Sequence, residues 1–523
     1  MELELDRTQL SGYEAVLDTT VFHEETLEMI VPDACPDILR ICDTEGKVFL
    51  KSKEAQEGRV EVSGTVRAAI LYLPDGEEGM RRVEATLSFT STEDSAAVGP
   101  QCSVVAVPWV EMAETRSLNP RKVLVRVNLA VHVQAYAAMT ENICAGVLAP
   151  EETGVEQLAE RCDTCVVACV QEKPFTFADD VAIPGSKPEA EELLKHRVAL
   201  RCSEAKVIGS KLIFKGEAQL QVLYRTVEGA LCSVEYELPF SQIMEVSGAG
   251  EESTCQVQVL LTGAECSLES GDRRSICVAL GLLAQAVVRE ERSLEVLTDV
   301  YSTAYDLHPE VRVYSMPRLL DCGVKEQTVR EILETGMLAK EVFDAYVCVG
   351  AVSQNREGAR LTLSSQINVT VLYLTEEGSR VSVTRPIQAS CTLDLPEGAV
   401  CSARCSCPSP VFATPTTGGI EVRFPGDFQY VAQGSRPSAW TRPPAGIPRA
   451  SPLSYCAWSA RESGSGIWPR LTVLHSRISC RPMPLQRKTH RTVNCCSFHE
   501  SGNSLRGRRI APSPEAVPRN STG

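Results

Sequence analysis

The strongest constraint on this chain is one stretch that occurs three times. Val62 to Glu77 reads VSGTVRAAILYLPDGE, Phe214 to Gly229 reads FKGEAQLQVLYRTVEG, and Leu363 to Gly378 reads LSSQINVTVLYLTEEG. In each copy apolar residues take every second position into a Leu-Tyr pair, and a polar turn containing Gly follows. The alternating sets are Val66, Ala68, Ile70 and Tyr72, then Ala218, Leu220, Val222 and Tyr224, then Ile367, Val369, Val371 and Tyr373. Successive side chains of a strand point to opposite faces, so this period predicts a half-buried strand entering a hairpin. Tyr72, Tyr224 and Tyr373 lie 152 and 149 residues apart, which matches the roughly 150 residues of an average domain.

A second signature closes each copy. Asn119-Pro120-Arg121-Lys122 leads into a run in which Val125, Val127, Leu129, Val131 and Val133 share one face, while Arg126, Asn128 and His132 take the other. Gly271 to Arg274 leads into SICVALGLLAQAVV in the same way, and Ile420, Val422 and Phe424 end the third copy. The expected fold is mainly β: three tandem antiparallel β-sandwich-like repeats with short helices, then a disordered C-terminal tail. The units are expected at residues 15–140, 170–300 and 310–432, with the tail over 433–523. Residues 1–26 read as a polar lead-in. Short helices are expected after Asp37, from Pro188 through PEAEELLKHRV, and over KEQTVREILETGMLAKEVF. In the last of these Val329, Ile332, Leu333, Met337 and Leu338 recur at three- and four-residue spacing.

Several function classes find no support. No run approaches the roughly 20 apolar residues of a membrane-spanning helix, and MELELDRTQL has neither the basic start nor the apolar core of a signal peptide. Cytosolic residence is the expectation. Residues 431–523 hold 14 Lys+Arg against 3 Asp+Glu, which leaves 38 against 65 in residues 1–430. A body so acidic does not seek nucleic acid or an anionic membrane. The 22 cysteines are scattered singly, as buried apolar thiols are in a reducing compartment. Cys162, Cys165 and Cys169 are the one local cluster, and they lack the second Cys or His pair of a zinc site. Asp33 and Asp37 in VPDACPDILRI could form a carboxylate pair, but no His, third carboxylate or phosphate loop accompanies them, so turn and cap chemistry accounts for them. SGAGEES lacks the lysine of a phosphate-binding loop. No catalytic, cofactor or metal site is expected.

VPDACPDILRI, VSGTVRAAILYL and NPRKVLVRVNLAVHVQAY together resemble the SPOCS domain of SipL-type spore coat proteins from endospore-forming clostridia. The resemblance covers roughly residues 15–432. The motif positions are Pro32, Asp33, Pro36, Asp37, Gly64, Tyr72, Asn119, Pro120, Arg121 and Lys122, with Gly216, Tyr224 and Tyr373 in the later copies. It implies a non-enzymatic structural protein, made in the mother cell and placed at the forespore surface, that binds a spore coat morphogenetic ATPase and other coat proteins. It also implies a C-terminal LysM domain through which that ATPase is engaged, with peptidoglycan a partner only where the LysM module is intact.

No LysM motif is readable after Val431, where the text turns to Arg, Pro, Ser, Cys and Trp. Codons able to encode Ser465 to Glu500, read in a shifted frame, permit a LysM-like peptide. A single-base slip near Gln433 to Ser438 is the expected origin of the tail, the alternative being a real, unstructured basic tail that binds an acidic partner. Two non-catalytic roles remain open. One is a scaffold whose strand edges accept partners. The other is a glycan- or wall-binding protein, for which the single Trp before the tail, Trp109, is a poor endowment.

Overall fold

The computed structural model describes residues 4–435 and 470–482. Six strands make the first unit: β1 (Glu4–Ile30), β2 (Ile38–Gln56), β3 (Arg59–Pro74), β4 (Arg81–Asp94), β5 (Ser103–Asn119) and β6 (Lys122–Leu148). The second unit repeats the series as β7 (Val155–Ala182), β8 (Ala190–Ile208), β9 (Lys211–Thr226), β10 (Leu231–Glu245), β11 (Thr254–Leu268) and β12 (Ser275–Ser302). After β13 (Tyr305–Ser315), the third unit runs through β14 (Pro317–Leu333), β15 (Ala339–Glu357), β16 (Arg360–Thr375) and β17 (Arg380–Asp394). Its fifth strand is broken into β18 (Val400–Ser406) and β19 (Phe412–Thr416), and β20 (Gly419–Ser435) is its sixth.

The thrice-repeated stretch is the middle strand of a meander in every unit: β2-β3-β4, β8-β9-β10 and β15-β16-β17. The first, sixth and fifth strands form the facing sheet, as β1-β6-β5, β7-β12-β11 and β14-β20-β18, with β19 also on β20. The two sheets close on one core per unit. In the first, Val62, Val66, Ile70 and Tyr72 of β3 pack with Val123 to Val133 of β6, all nearly inaccessible to water. β1 meets β7 at a single pair, Tyr13 opposite Val167, which joins two units into one six-stranded sheet.

The expected alternation of one covered and one open face holds only along part of each middle strand. Toward the Leu-Tyr end both faces are buried, because Leu71, Leu223 and Leu372 meet in one cluster with Cys42, Leu194, Met80 and Leu231. The three units therefore pack directly on one another, and each such leucine contributes on the order of 1.5–3 kcal/mol by leaving water.

The short helices are corrected. Among the described residues the helical segment is one 3-10 turn, Glu151–Thr153. Ile38, Leu39 and Ile41 open β2, PEAEELLKHRV enters β8, and KEQTVREILETGMLAKEVF is the end of β14, a tight turn and the start of β15. Val329 and Leu333 are buried four residues apart, which fits a strand as well as a helix. Sixteen cross-strand partners on β20 settle the choice for the strand. From Glu4 on the polar lead-in is also strand, since β1 pairs along its whole length with β6. Within the expected tail, β20 continues to Ser435 and β21 (Arg470–Pro482) pairs with β13. The rest of that tail, with the LysM reading, lies outside the described residues.

Candidate functional site

The motif residues of the first unit converge at the end where β1 passes to β2 and β5 turns into β6. Pro32 and Pro36 hold the first connection in a loop, closed by a Cys35 amide bond to the Pro32 carbonyl (2.9 Å). Asn119 starts the second turn by accepting the Arg121 amide on its Oδ1 (2.9 Å). That turn aims Arg121 across the loop. Its Nη1 donates to Cys35 O (2.6 Å) and Asp37 Oδ1 (3.2 Å). Its Nη2 donates to Val31 O (3.0 Å), Pro32 O (3.1 Å) and Asp33 Oδ1 (3.1 Å). The backbone completes the clamp, with Val31 N bonded to Arg121 O and Ile38 N to Pro120 O, both 2.9 Å. Lys122 pairs with Glu28 beside it.

The Leu-Tyr tyrosines tie the same loops from beneath. Tyr72 Oη donates to Pro36 O (3.2 Å), Tyr224 Oη to Pro188 O (2.9 Å), and Tyr373 Oη to Thr335 O (3.4 Å). Burial pushes Tyr72 and Tyr224 up to about 12, which keeps both phenols protonated as donors. The second unit rebuilds the clamp with Arg274, which reaches Lys187 O (3.0 Å) and Glu189 (3.4 Å). Asp272 takes the turn position of Asn119. In the third unit Gly418 stands at the corresponding place, so the arginine clamp is lost.

Gly64 and Gly216 serve packing of the middle strands. A Cβ on Gly64 would lie 2.5 Å from Phe49 O and 2.6 Å from the Phe89 ring, and on Gly216 2.2 Å from Arg201 O and 2.6 Å from the Phe240 ring. An aromatic ring on the next strand covers each glycine.

The reading of the sequence missed a buried charge cluster where the three meanders meet. Equivalent irregularities in β2, β8 and β15 place Asp43, Lys195 and Asp344 at the same point of each unit, every one 29 residues before its Leu-Tyr tyrosine. The Lys195 ammonium has three N–H groups and three carboxylates: Asp344 at 2.6 Å, Asp43 at 2.7 Å and Glu45 at 2.9 Å. Arg197 forks onto Glu45 with two bonds of 2.7 Å and reaches Asp344 at 3.1 Å. Tyr346 Oη lies 3.0 Å from Asp43 Oδ1 and 2.9 Å from Thr44 O, and its ring receives both cations at 4.3 and 4.7 Å.

Burial alone would neutralise these groups, but their partners overrule it. Glu45 and Asp344 are held below the ordinary carboxylate range, foremost by Arg197 and then by Lys195. Lys195 is held well above its ordinary value by Asp344, Asp43 and Glu45. Burial, with Lys47 and Arg82 nearby, takes His196 down to about 3, so it is neutral. The signal was present as charges at one fixed offset in all three copies, visible only once the copies are aligned on their tyrosines.

A cavity of about 800 Å3 lies between the outward faces of the three first-sixth-fifth sheets. His132, Gln285 and Gln429, each ten residues into its sixth strand, line it. His132 bonds Asp18 at 2.8 Å there. Among the described residues no three His, Cys, Asp or Glu side chains gather as metal ligands. Cys162, Cys165 and Cys169 are buried, and burial pushes Cys165 up to about 11.

Residues 37–117 and 189–269 match the family model described as SipL, SPOCS domain. Each match spans the second to fifth strands of one unit, and the two matched units are those that carry the arginine clamp. No curated protein and no solved structure matches the chain.

Proposed function

This is a SipL-like SPOCS-domain protein, and on that footing we propose that it is a non-enzymatic scaffold of endospore coat assembly. It would act in the mother-cell cytoplasm at the forespore surface, binding a coat morphogenetic ATPase and other coat proteins. A sporulation-related role in protein interaction follows from the SPOCS match, and that domain family is non-catalytic. No helix of the described residues is long and apolar enough to cross a membrane.

The carrying observation is the clamp end of the first unit. Its motif side chains are engaged with each other and with their own backbone, which supports a structural role for Pro32, Asp33, Pro36, Asp37 and Arg121. Around them Ile30, Leu39 and Leu118, each next in sequence to a clamp residue, stand 73%, 66% and 49% exposed. Apolar side chains left open beside a rigid polar frame are what a protein partner covers.

Retention of the full chain on immobilised coat morphogenetic ATPase tests this reading. The wild type is expected to bind, and Ile30→Glu with Leu39→Glu to bind at least about tenfold more weakly. Equal retention of the variant would contradict the assigned surface. Sedimentation with peptidoglycan in place of ATPase capture would favour the glycan reading. A chain with the reading frame restored after Val431, run alongside, separates binding by the β-units from binding by a LysM module.

A further inference from the structure

Two arginines without an ion-pair partner among the described residues line the cavity between the three sheets. Arg289 of β12 is only 6% exposed, lines the cavity, and has no hydrogen-bond partner for its Nε. Its Nη1 reaches Gln256 Oε1 at 3.2 Å. Arg404 of β18 also lines the cavity and donates to Gln258 and to Gln429 Oε1 (3.1 Å). Among the described residues neither guanidinium forms an ion pair, and burial takes Arg404 down to about 10. Arg289 also meets the Tyr136 hydroxyl, and a buried cation held only by neutral groups is left with an uncompensated desolvation cost.

The geometry points to a binding site for a small di- or tricarboxylate, its carboxylates paired with Arg289 and Arg404 and its other oxygens with the surrounding carboxamides. Gln256 and Gln258, which hold the two guanidinium groups, lie two residues apart on β11, about 7 Å along the strand. Two guanidinium groups held by neighbouring positions of one strand suit two carboxylates on one carbon skeleton. A guanidinium fork matches a carboxylate with two parallel bonds. Phosphate sites commonly use backbone N–H groups at helix starts or glycine loops. Here the walls are strands, with neither a helix start nor a glycine loop among the lining residues, so side chains supply the donors. The acids Glu14, Asp18 and Glu141 lie on β1 and β6, which directs the anionic end of a ligand toward the second and third units. The site stands independently of the coat-assembly reading.

Isothermal titration of the full chain with succinate, citrate, inorganic phosphate and glycerol at constant ionic strength tests it. Succinate or citrate is expected to bind saturably at one site, with glycerol inert. Arg289→Gln and Arg404→Gln should each weaken binding at least about tenfold with an unchanged circular dichroism spectrum. Absence of saturable binding by both carboxylates, equal binding by both variants, or tighter binding of phosphate would overturn the proposal. Should a variant fail to fold, hydrogen exchange of the wild type decides. Saturating citrate should protect β11 and β18, and unchanged exchange there would equally overturn it.

Discussion

Lys195 is the side chain on which most of the buried charge depends. With three carboxylates around one ammonium, its removal leaves acids in a dry site, and breaking a buried pair in this way costs about 3–5 kcal/mol. Lys195→Met should therefore lower the urea midpoint strongly, whereas replacement of the exposed ion-pair partner Lys215 should change it by less than about 1 kcal/mol. The same cluster sets a pH response. Glu45 and Asp344 have folded pKa values below their unfolded ones, so their contribution is complete above about pH 5 and is lost as acid protonates them. Lys195 is shifted the opposite way, so its contribution is complete below about pH 10. His196, neutral in the fold, adds a loss that begins below about pH 6.5, so urea stability should decline from about pH 6.5 downward and more steeply below about pH 5, and Lys195→Met should flatten that lower limb. Gly64 makes a steric prediction: Gly64→Ala forces a Cβ into Phe49 O and the Phe89 ring, costing about 1–3 kcal/mol in a thermal melt.

At the scale of elements, the repeated strand was legible because its period of two is carried by long apolar side chains over a whole strand. The first strand of each unit was not. β1 reads as polar because many of its side chains face water, and its pairing with β6 is invisible to a local pattern. The helices failed for the same reason, since residues around Val329 satisfy a four-residue spacing while forming a strand against β20. The clamp was half legible: Asn119, Pro120 and Arg121 stood out as a motif, but only the fold brings Arg121 to Pro32 and Asp37, more than eighty residues earlier. Arg121→Ala removes five donated bonds at a partly exposed site, and it should cost about 1–3 kcal/mol. Amide exchange should speed first at the β1–β2 and β5–β6 connections. The third unit, with Gly418 at that place, should exchange faster at its own β14–β15 turn than the first two do at theirs.

At the scale of the molecule, three copies of one sandwich are held together by what differs between them. Equivalent positions carry Asp in the first unit, Lys in the second and Asp in the third, so the second unit's lysine faces an acid from each of the other two. Three identical copies would bury like charges there, and this pattern singles out the second unit as the one that must sit against both others. The leucines around it supply the burial, and the charges supply the order. Hydrogen exchange of the full chain with Lys195→Met tests this most directly. Protection should fall together in β2, β8 and β15, strands of three different units joined at one lysine. Loss confined to β8, with β2 and β15 exchanging as in the wild type, would contradict a shared centre.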